Sequence, residues 1–237
     1  MAKEFDYWVI VEGHAKPGGS TNWCYDLKIP VRSTDGCHEY LLDFSKAHDN
    51  VIYYSKGGYW ESKDEQVNKA IQLIRKKITS CILWQVDIDE VWTSENLEVN
   101  EMHLKKSRKS CGKVQFNHIV GEMDGSYLVA RGRWGSSFVN RVWNWEGEDF
   151  LTHEPAEIKG QRTVNLPRKF DHFSMYFKED IIFKEKYYGY ENLYENWKEM
   201  HERARFPMLV TRLLDIKEAK GSRIYKQLRR QKERVLL

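Results

Sequence analysis

No apolar run in the chain approaches the roughly 18 residues that a membrane-crossing helix needs, and no signal-peptide pattern stands at its start. The expectation is a chain without a transmembrane segment. Cysteine is sparse. Cys24, Cys37, Cys81 and Cys111 form no Cys-x-x-Cys pair, so there is no zinc signal and no disulfide framework. Reduced thiols in a cytoplasmic setting are expected. An excess of one charge is also lacking: the net charge is +3, too small to argue by itself for nucleic acid. The basic stretches at 104–109 and 223–234 are not interleaved with aromatics, which counts further against a nucleic-acid partner. Neither internal repeats nor low-complexity tracts occur, so solenoid and linker architectures are set aside.

What the chain does have is length and aromatic mass. Its 237 residues suffice for one large α/β domain with a substantial core. Nine Trp, thirteen Tyr and ten Phe are expected mostly in that core, leaving a few rings to offer flat faces to sugars or bases. Tyr7 to Glu12 reads as an apolar strand ending in Glu12-Gly13-His14, followed by the loop Pro17-Gly-Gly-Ser-Thr21. Glu39 to Lys46 reads as a short helix and Val51 to Tyr54 as a second strand. Val67, Ala70, Ile71 and Ile74 share one face of a helix over Asp64 to Lys77. A third strand, Cys81 to Val86, comes next. Strand, helix, strand, helix, strand points to a mostly parallel sheet. The predicted fold class is α/β: a single Rossmann-like domain with a mostly parallel central sheet flanked by helices, and a helical C-terminal tail.

Beyond the third strand, Asn96 to Ser110 reads as a helix whose basic end (Lys105, Lys106, Arg108, Lys109) suits a helix C-terminus. Val114 to Val120 and Ser126 to Ala130 read as strands, and a Trp-rich region runs from Gly132 to Trp145. Glu179 to Leu214 reads as largely helical with a break at Pro207, and Ser222 to Leu237 as a basic helix or tail. The expected organisation is one domain over 1–215 and a tail over 216–237. Within the domain, a nucleotide-binding region over 1–110 precedes an acceptor region over 111–178 and a helical region over 179–215.

The chemistry is concentrated where the third strand ends. Three carboxylates, Asp87, Asp89 and Glu90, fall within four residues. Alternation along an extended chain puts Asp87 and Asp89 on the same side. Two carboxylates roughly 5 Å apart repel by about 3 kcal/mol at an effective dielectric near 20. A hard divalent cation removes that repulsion, and Mn²⁺ or Mg²⁺ prefers such oxygen donors. Glu90 reads either as a group that supports the metal ligands or, the favoured alternative, as a surface carboxylate, because charged side chains are usually exposed. The spacing of an EF-hand loop is not present.

Taken together, Val9-Ile-Val-Glu-Gly13, Lys63 and Asn68 in Lys63 to Ala70, Leu83 to Glu90, Glu148-Asp149, Thr152-His-Glu-Pro155, Phe170-Asp-His-Phe173 and Lys184 to Gly189 resemble a glycosyltransferase of the GT-A type, close to the family 2-like enzymes. The resemblance covers roughly residues 5 to 200. It implies a GT-A-like fold, a UDP- or GDP-sugar donor, a glycan or other hydroxyl acceptor, and transfer of the sugar with inversion. By this resemblance Asp87, Asp89 and His172 would hold the metal, with His153 competing for the third place. Glu12, Lys63, Asn68 and Asp87 would contact the donor. Asp149, or alternatively Glu154, would be the base that takes the acceptor proton. Trp143 and Trp145, at period two on one strand, would be the rings to stack on the acceptor, although such a pair is more often core. The resemblance also implies one more strand ahead of the Val9 strand, with a polar loop for the base. Two other readings stay open: a non-catalytic nucleotide-sugar binding module, and another Mg²⁺-dependent nucleotide enzyme such as a nucleotidyltransferase, for which Lys16 with Pro17-Gly-Gly-Ser20 would be the phosphate loop.

Overall fold

The structure, a computed structural model, describes residues 5–16, 30–132, 138–188, 190–203, 208–210 and 226–232. In chain order, β1 (Trp8–Glu12), α1 (Cys37–Ala47), β2 (Val51–Ser55), α2 (Lys63–Ile74), β3 (Cys81–Trp84), β4 (Glu90–Val91) and α3 (Ser94–Ser107) come first. Then follow β5 (Cys111–Val114), β6 (Phe116–Met123), β7 (Ser126–Gly132), β8 (Val139–Trp145), β9 (Phe150–His153), β10 (Ala156–Ile158), β11 (Thr163–Asn165) and β12 (Phe170–His172). Helices α4 (Lys178–Tyr188) and α5 (Leu193–Glu202) precede β13 (Met208–Val210) and β14 (Lys226–Lys232). The chain divides into two compact units. Unit 1 is Met1–Leu83, Lys109–Cys111 and Trp143–Arg162; unit 2 is Trp84–Arg108, Gly112–Val142 and Thr163–Leu237.

In unit 1, β1 and β2 form a parallel pair in register from Trp8↔Val51 to Glu12↔Ser55. Helix α2 starts where Ser62 accepts the Glu65 N–H at 3.1 Å, with Asp64 and Glu65 in a first turn that favours negative charge. Its apolar stripe buries Ile71 and Ile74 against Cys111, Trp143, Trp145, Phe150, Ala156 and Ile158. Val9, Ile52, Val67 and Leu83 pack around that cluster. The helical face expected from Val67, Ile71 and Ile74 is therefore the one that meets the core. Strands β9 and β10 form a short antiparallel hairpin.

Unit 2 is organised on a six-stranded sheet in the order β13–β14–β7–β6–β12–β4. Only β12 and β6 run parallel; the other four ladders are antiparallel. Strands β6 and β7 are joined through Asp124-Gly125, both at positive φ (50° and 66°), as two-residue hairpin loops require. On one side of the sheet Val120, Leu128 and Ala130 pack with Met175, Ile181, Leu193 and Met200, so α4 and α5 contribute to this core. Helix α3 starts at Thr93, whose Oγ1 accepts the Asn96 N–H at 3.2 Å. Its buried Asn96 and Asn100 then bond the backbone just ahead of β12: Asn96 reaches the Lys169 carbonyl at 2.8 Å, and Asn100 exchanges two bonds with Arg168.

Two expectations are corrected here. The mostly parallel central sheet of a Rossmann-like domain is not what forms. The described residues build several small sheets, and the largest is predominantly antiparallel. Parallel neighbours need crossovers of about a dozen residues, whereas a two-residue loop such as Asp124-Gly125 can only return the chain antiparallel. The alternating strand–helix pattern is real over the first half of the chain, as far as β5, and there β1 and β2 do pair in parallel. The second correction concerns the basic C-terminal segment. Over Lys226–Lys232 it is a strand, antiparallel to β7 from Lys226↔Gly132 to Lys232↔Ser126. An open strand edge offers a row of backbone partners, and satisfying them outweighs the high helix propensity of Lys, Gln, Leu and Arg.

The β6–β7 register shifts between Ile119 and Gly121, and Gly121 sits at φ 150° with the His201 ring against the place where a Cβ would stand. Gly121→Ala should lower unfolding free energy by about 2–4 kcal/mol. Gly125→Ala, also at positive φ but facing open space, should cost only about 1 kcal/mol. Urea midpoints of the two variants test this, and equal losses would mean the His201 contact is not the constraint.

Candidate functional site

The acidic turn lies in unit 2, between β3 and β4. The Glu90 N–H bonds the Asp87 carbonyl at 3.1 Å, closing the turn. Ile88 projects outward, 97% exposed, while Asp87 and Asp89 each find a cationic or imidazole partner. The side chain of Glu90 is fully buried (0% exposed). The expectation of a surface carboxylate is thus overturned: β4 pairs with β12 and carries this side chain inward.

Arg141 on β8 is the partner that makes this burial possible. Its Nε and Nη2 donate to Glu90 Oε1 at 2.8 and 2.6 Å, and Trp92 Nε1 donates to Glu90 Oε2 at 3.1 Å. The same Nη2 reaches Asp87 Oδ2 at 2.7 Å. The guanidinium lies 6.0 Å over the Phe170 ring, which is itself stacked on Trp92 at 4.6 Å. Burial pushes the Glu90 carboxyl above its ordinary range; Arg141 pulls against that, and Asp87 adds to it. Burial disfavours the Arg141 charge, but Asp87 and Glu90 more than compensate and hold it protonated. Sequence reasoning passes over Arg141. The available signal is the one charged residue of the strand Val139–Trp145, since an arginine inside a strand is rarely unpaired.

Asp89 meets His172. The Nε2 of His172 is 3.2 Å from Asp89 Oδ2, and the backbone ties the two segments together through Phe173 N–H to the Asp89 carbonyl at 2.8 Å. Burial would raise the Asp89 carboxyl, yet the hydrogen bond and charge of His172, with the nearby Lys184 ammonium, bring it below its ordinary value. Lys184 donates to the Ser174 carbonyl; burial lowers its own value while Asp89 and Asp180 pull it back up. The His118 and His172 rings, cross-strand neighbours on β6 and β12, have centroids 5.2 Å apart. The structure therefore brings Asp87, Asp89 and His172 onto one edge of unit 2.

The donor set suits a divalent cation only partly. Carboxylate oxygens and an imidazole nitrogen are appropriate to Mn²⁺ or Mg²⁺. Among the described residues, however, no group of three or more His, Cys, Asp or Glu side chains is arranged to hold a metal ion. His172 Nδ1 is buried without a hydrogen-bond partner, whereas a metal-bound imidazole normally donates its second N–H to an acceptor. The carboxylates fit the ion; the imidazole lacks that outer support and fits better as a donor to Asp89.

Unit 1 holds the remaining candidates. Glu12, at the end of β1, is saturated by internal donors: Tyr53 Oη, the Ser33 N–H at 2.7 Å and His38 Nδ1 at 3.0 Å. Asn68 on α2 bonds the Phe150 backbone in both directions, at 2.9 and 2.8 Å. Lys63 opens α2. Trp143 and Trp145 are each 1% exposed, with their indole N–H groups bonded to Gln161 and to the Glu148 carbonyl, so both rings belong to the core. Asp149 pairs with Arg75 at 2.6 Å. His153 bonds Asp64 through its backbone N–H and Nδ1 at 2.7 and 2.8 Å, and its Nε2 lies 3.9 Å from Glu154. Lys16 pairs with Glu61 at 2.7 Å. The loop Pro17 to Thr21 lies outside the described residues. A groove of about 550 Å³ lined by Asp6, Tyr7, Asn50 and Cys81, among others, contains none of the expected site residues.

No family model, no curated protein and no solved structure matches this chain. Among the described residues, no helix is long and apolar enough to cross a membrane.

Two expected outcomes follow from unit 1. Burial would raise Glu12, but the Tyr53, Ser33 and His38 hydrogen bonds lower it from 4.5 to about 2. Because the folded value is depressed, its contribution is fully present above pH 4.5 and is lost as pH falls towards 2. With the side chain only 10% exposed, that contribution is about 3 kcal/mol. Glu12→Gln should therefore flatten the acid limb of a stability–pH curve across this window, and an unchanged limb would refute the assignment. Asn68→Ala should cost about 2 kcal/mol in urea unfolding, because it strands the Phe150 N–H and carbonyl. A variant of native stability would show that Asn68 is not a backbone staple.

Proposed function

We propose that this chain is a metal-dependent glycosyltransferase that moves a sugar from a UDP- or GDP-sugar to a hydroxyl acceptor, with inversion, in the cytoplasm. The observation that carries the reading is the acidic turn itself, with the Asp87 side chain half exposed and the Lys184 ammonium near Asp89. Lys184 is remote from the turn in sequence, and the resemblance groups the two segments for this chemistry. Asp87 and Asp89 would hold Mn²⁺ or Mg²⁺, whose positive charge stabilises the nucleoside diphosphate that departs. Lys184 adds a cation beside Asp89 for the same diphosphate. The base that takes the acceptor proton is assigned to Asp149 or Glu154. Asp149 already engages Arg75, while Glu154 is 77% exposed.

One observation favours a second reading, a binding module without turnover. Both aspartates of the turn already have internal partners, Arg141 and His172. A screen of UDP- and GDP-sugars for Mn²⁺- or Mg²⁺-dependent hydrolysis separates the two. The enzyme reading expects hydrolysis that Asp89→Ala reduces by about 100-fold or more. Donor binding without hydrolysis supports the module, and full activity of Asp89→Ala, or no binding of any donor, sinks the proposal.

A further inference from the structure

We propose that Arg141 is a positioning residue of the acidic turn: gripped by buried Glu90, it fixes the carboxylate of Asp87 in the place from which that carboxylate meets a cation–diphosphate ligand. This rests on the reading of the turn as a site for a divalent cation and a nucleoside diphosphate.

The geometry separates the three charges by role. Glu90 is fully buried, Arg141 is 11% exposed and Asp87 is 50% exposed. Only Asp87 is placed to meet a ligand from solvent. The guanidinium gives Nε and Nη2 to Glu90 and shares the same Nη2 with Asp87. Its plane is fixed by the fork and by its place over Phe170. A side chain held in this way has no freedom to swing onto a phosphate. What it does is transmit a buried reference point to an exposed carboxylate that would otherwise sample its rotamers freely. The Trp92 indole bonds the second oxygen of Glu90 at 3.1 Å and completes the anchor.

Electrostatics alone makes the opposite prediction. Arg141 places a positive charge next to the aspartates, so deleting it should tighten the binding of a cation. If positioning dominates, deletion should weaken binding even though a repulsive charge has gone. Removing Arg141 together with Glu90 leaves the net charge beside the aspartates unchanged, so a loss of binding by that pair reports positioning and not charge.

The test uses the full chain in four forms besides wild type: Asp87→Asn, Arg141→Lys, the pair Arg141→Met with Glu90→Leu, and that pair combined with Asp87→Asn. The pair removes both buried charges together and leaves neither uncompensated, so it is the version expected to fold. Mn²⁺ with UDP is titrated calorimetrically, and amide hydrogen exchange is followed at residues 87–90. The pair should bind Mn²⁺ with UDP about tenfold more weakly or worse. Adding Asp87→Asn to it should cause no further loss, because residues acting through one another are not additive. Arg141→Lys, which keeps the charge but not the fork, should lose nearly as much as the pair. Exchange at 87–90 should rise about tenfold while the remaining core amides keep their protection. Unchanged or tighter Mn²⁺ binding by the pair, additive losses, rescue by lysine, or unchanged exchange in the turn would each overturn the proposal. If wild type binds neither Mn²⁺ nor UDP, the glycosyltransferase reading falls, and the exchange measurement alone decides the role of Arg141. Should the pair fail to fold, Arg141→Lys carries both measurements.

Discussion

The contact on which the acidic edge of unit 2 depends is the buried pair Glu90–Arg141. A carboxylate with no exposed surface is tolerable only when its charge is matched and its lone pairs are occupied. Arg141 supplies two N–H groups and Trp92 a third. Once that pair is set, much else is set too. The β4–β12 ladder brings His172 opposite Glu90 in register, and the guanidinium is left with one edge facing Asp87. Buried ion pairs rarely increase stability over an apolar pair of similar volume. Here the pair organises what lies above it instead: one exposed and one half-buried carboxylate emerging from a turn whose base is an interior charge.

The turn is legible in the sequence and its support is not. An apolar run ending in Asp-x-Asp announces itself, because three carboxylates in four residues make an unusual demand on charge. The pairing with His172 comes from a resemblance rather than from spacing, and the structure brings the two side chains together. Glu90 is easily misread because a third acid in a row looks like surface, when strand alternation sends it the other way. Arg141 is easily passed over because the signal of a charged residue inside a strand becomes specific only once its partner is known.

The fold shows the same division. Local signals, such as the apolar face of α2 and the Asp124-Gly125 hairpin, reflect interactions within a few residues and are recoverable. The order of strands in a sheet is a long-range property. Alternating strands and helices over residues 8–84 suggest parallel pairing throughout, but the strands beyond them are joined by short returns. In unit 1, Asn68 and Glu12 illustrate a related ambiguity. A polar side chain near a strand end has the same appearance in sequence whether it waits for a ligand or closes a backbone gap. In the structure Asn68 does the latter, and Glu12 is enclosed by donors of its own unit.

The hydrogen bond from Phe173 N–H to the Asp89 carbonyl has a bearing on how the Asp89–His172 contact responds to its surroundings. That contact is an ion pair in form, but its spacing is set by backbone, through the β4–β12 ladder and this bond just beyond it. Dissolved salt screens the attraction between the two side chains and leaves the strand spacing untouched. The separation of the two backbone segments is therefore a mechanical quantity of the sheet, as constant in brine as in dilute buffer, while the strength of the side-chain interaction is not.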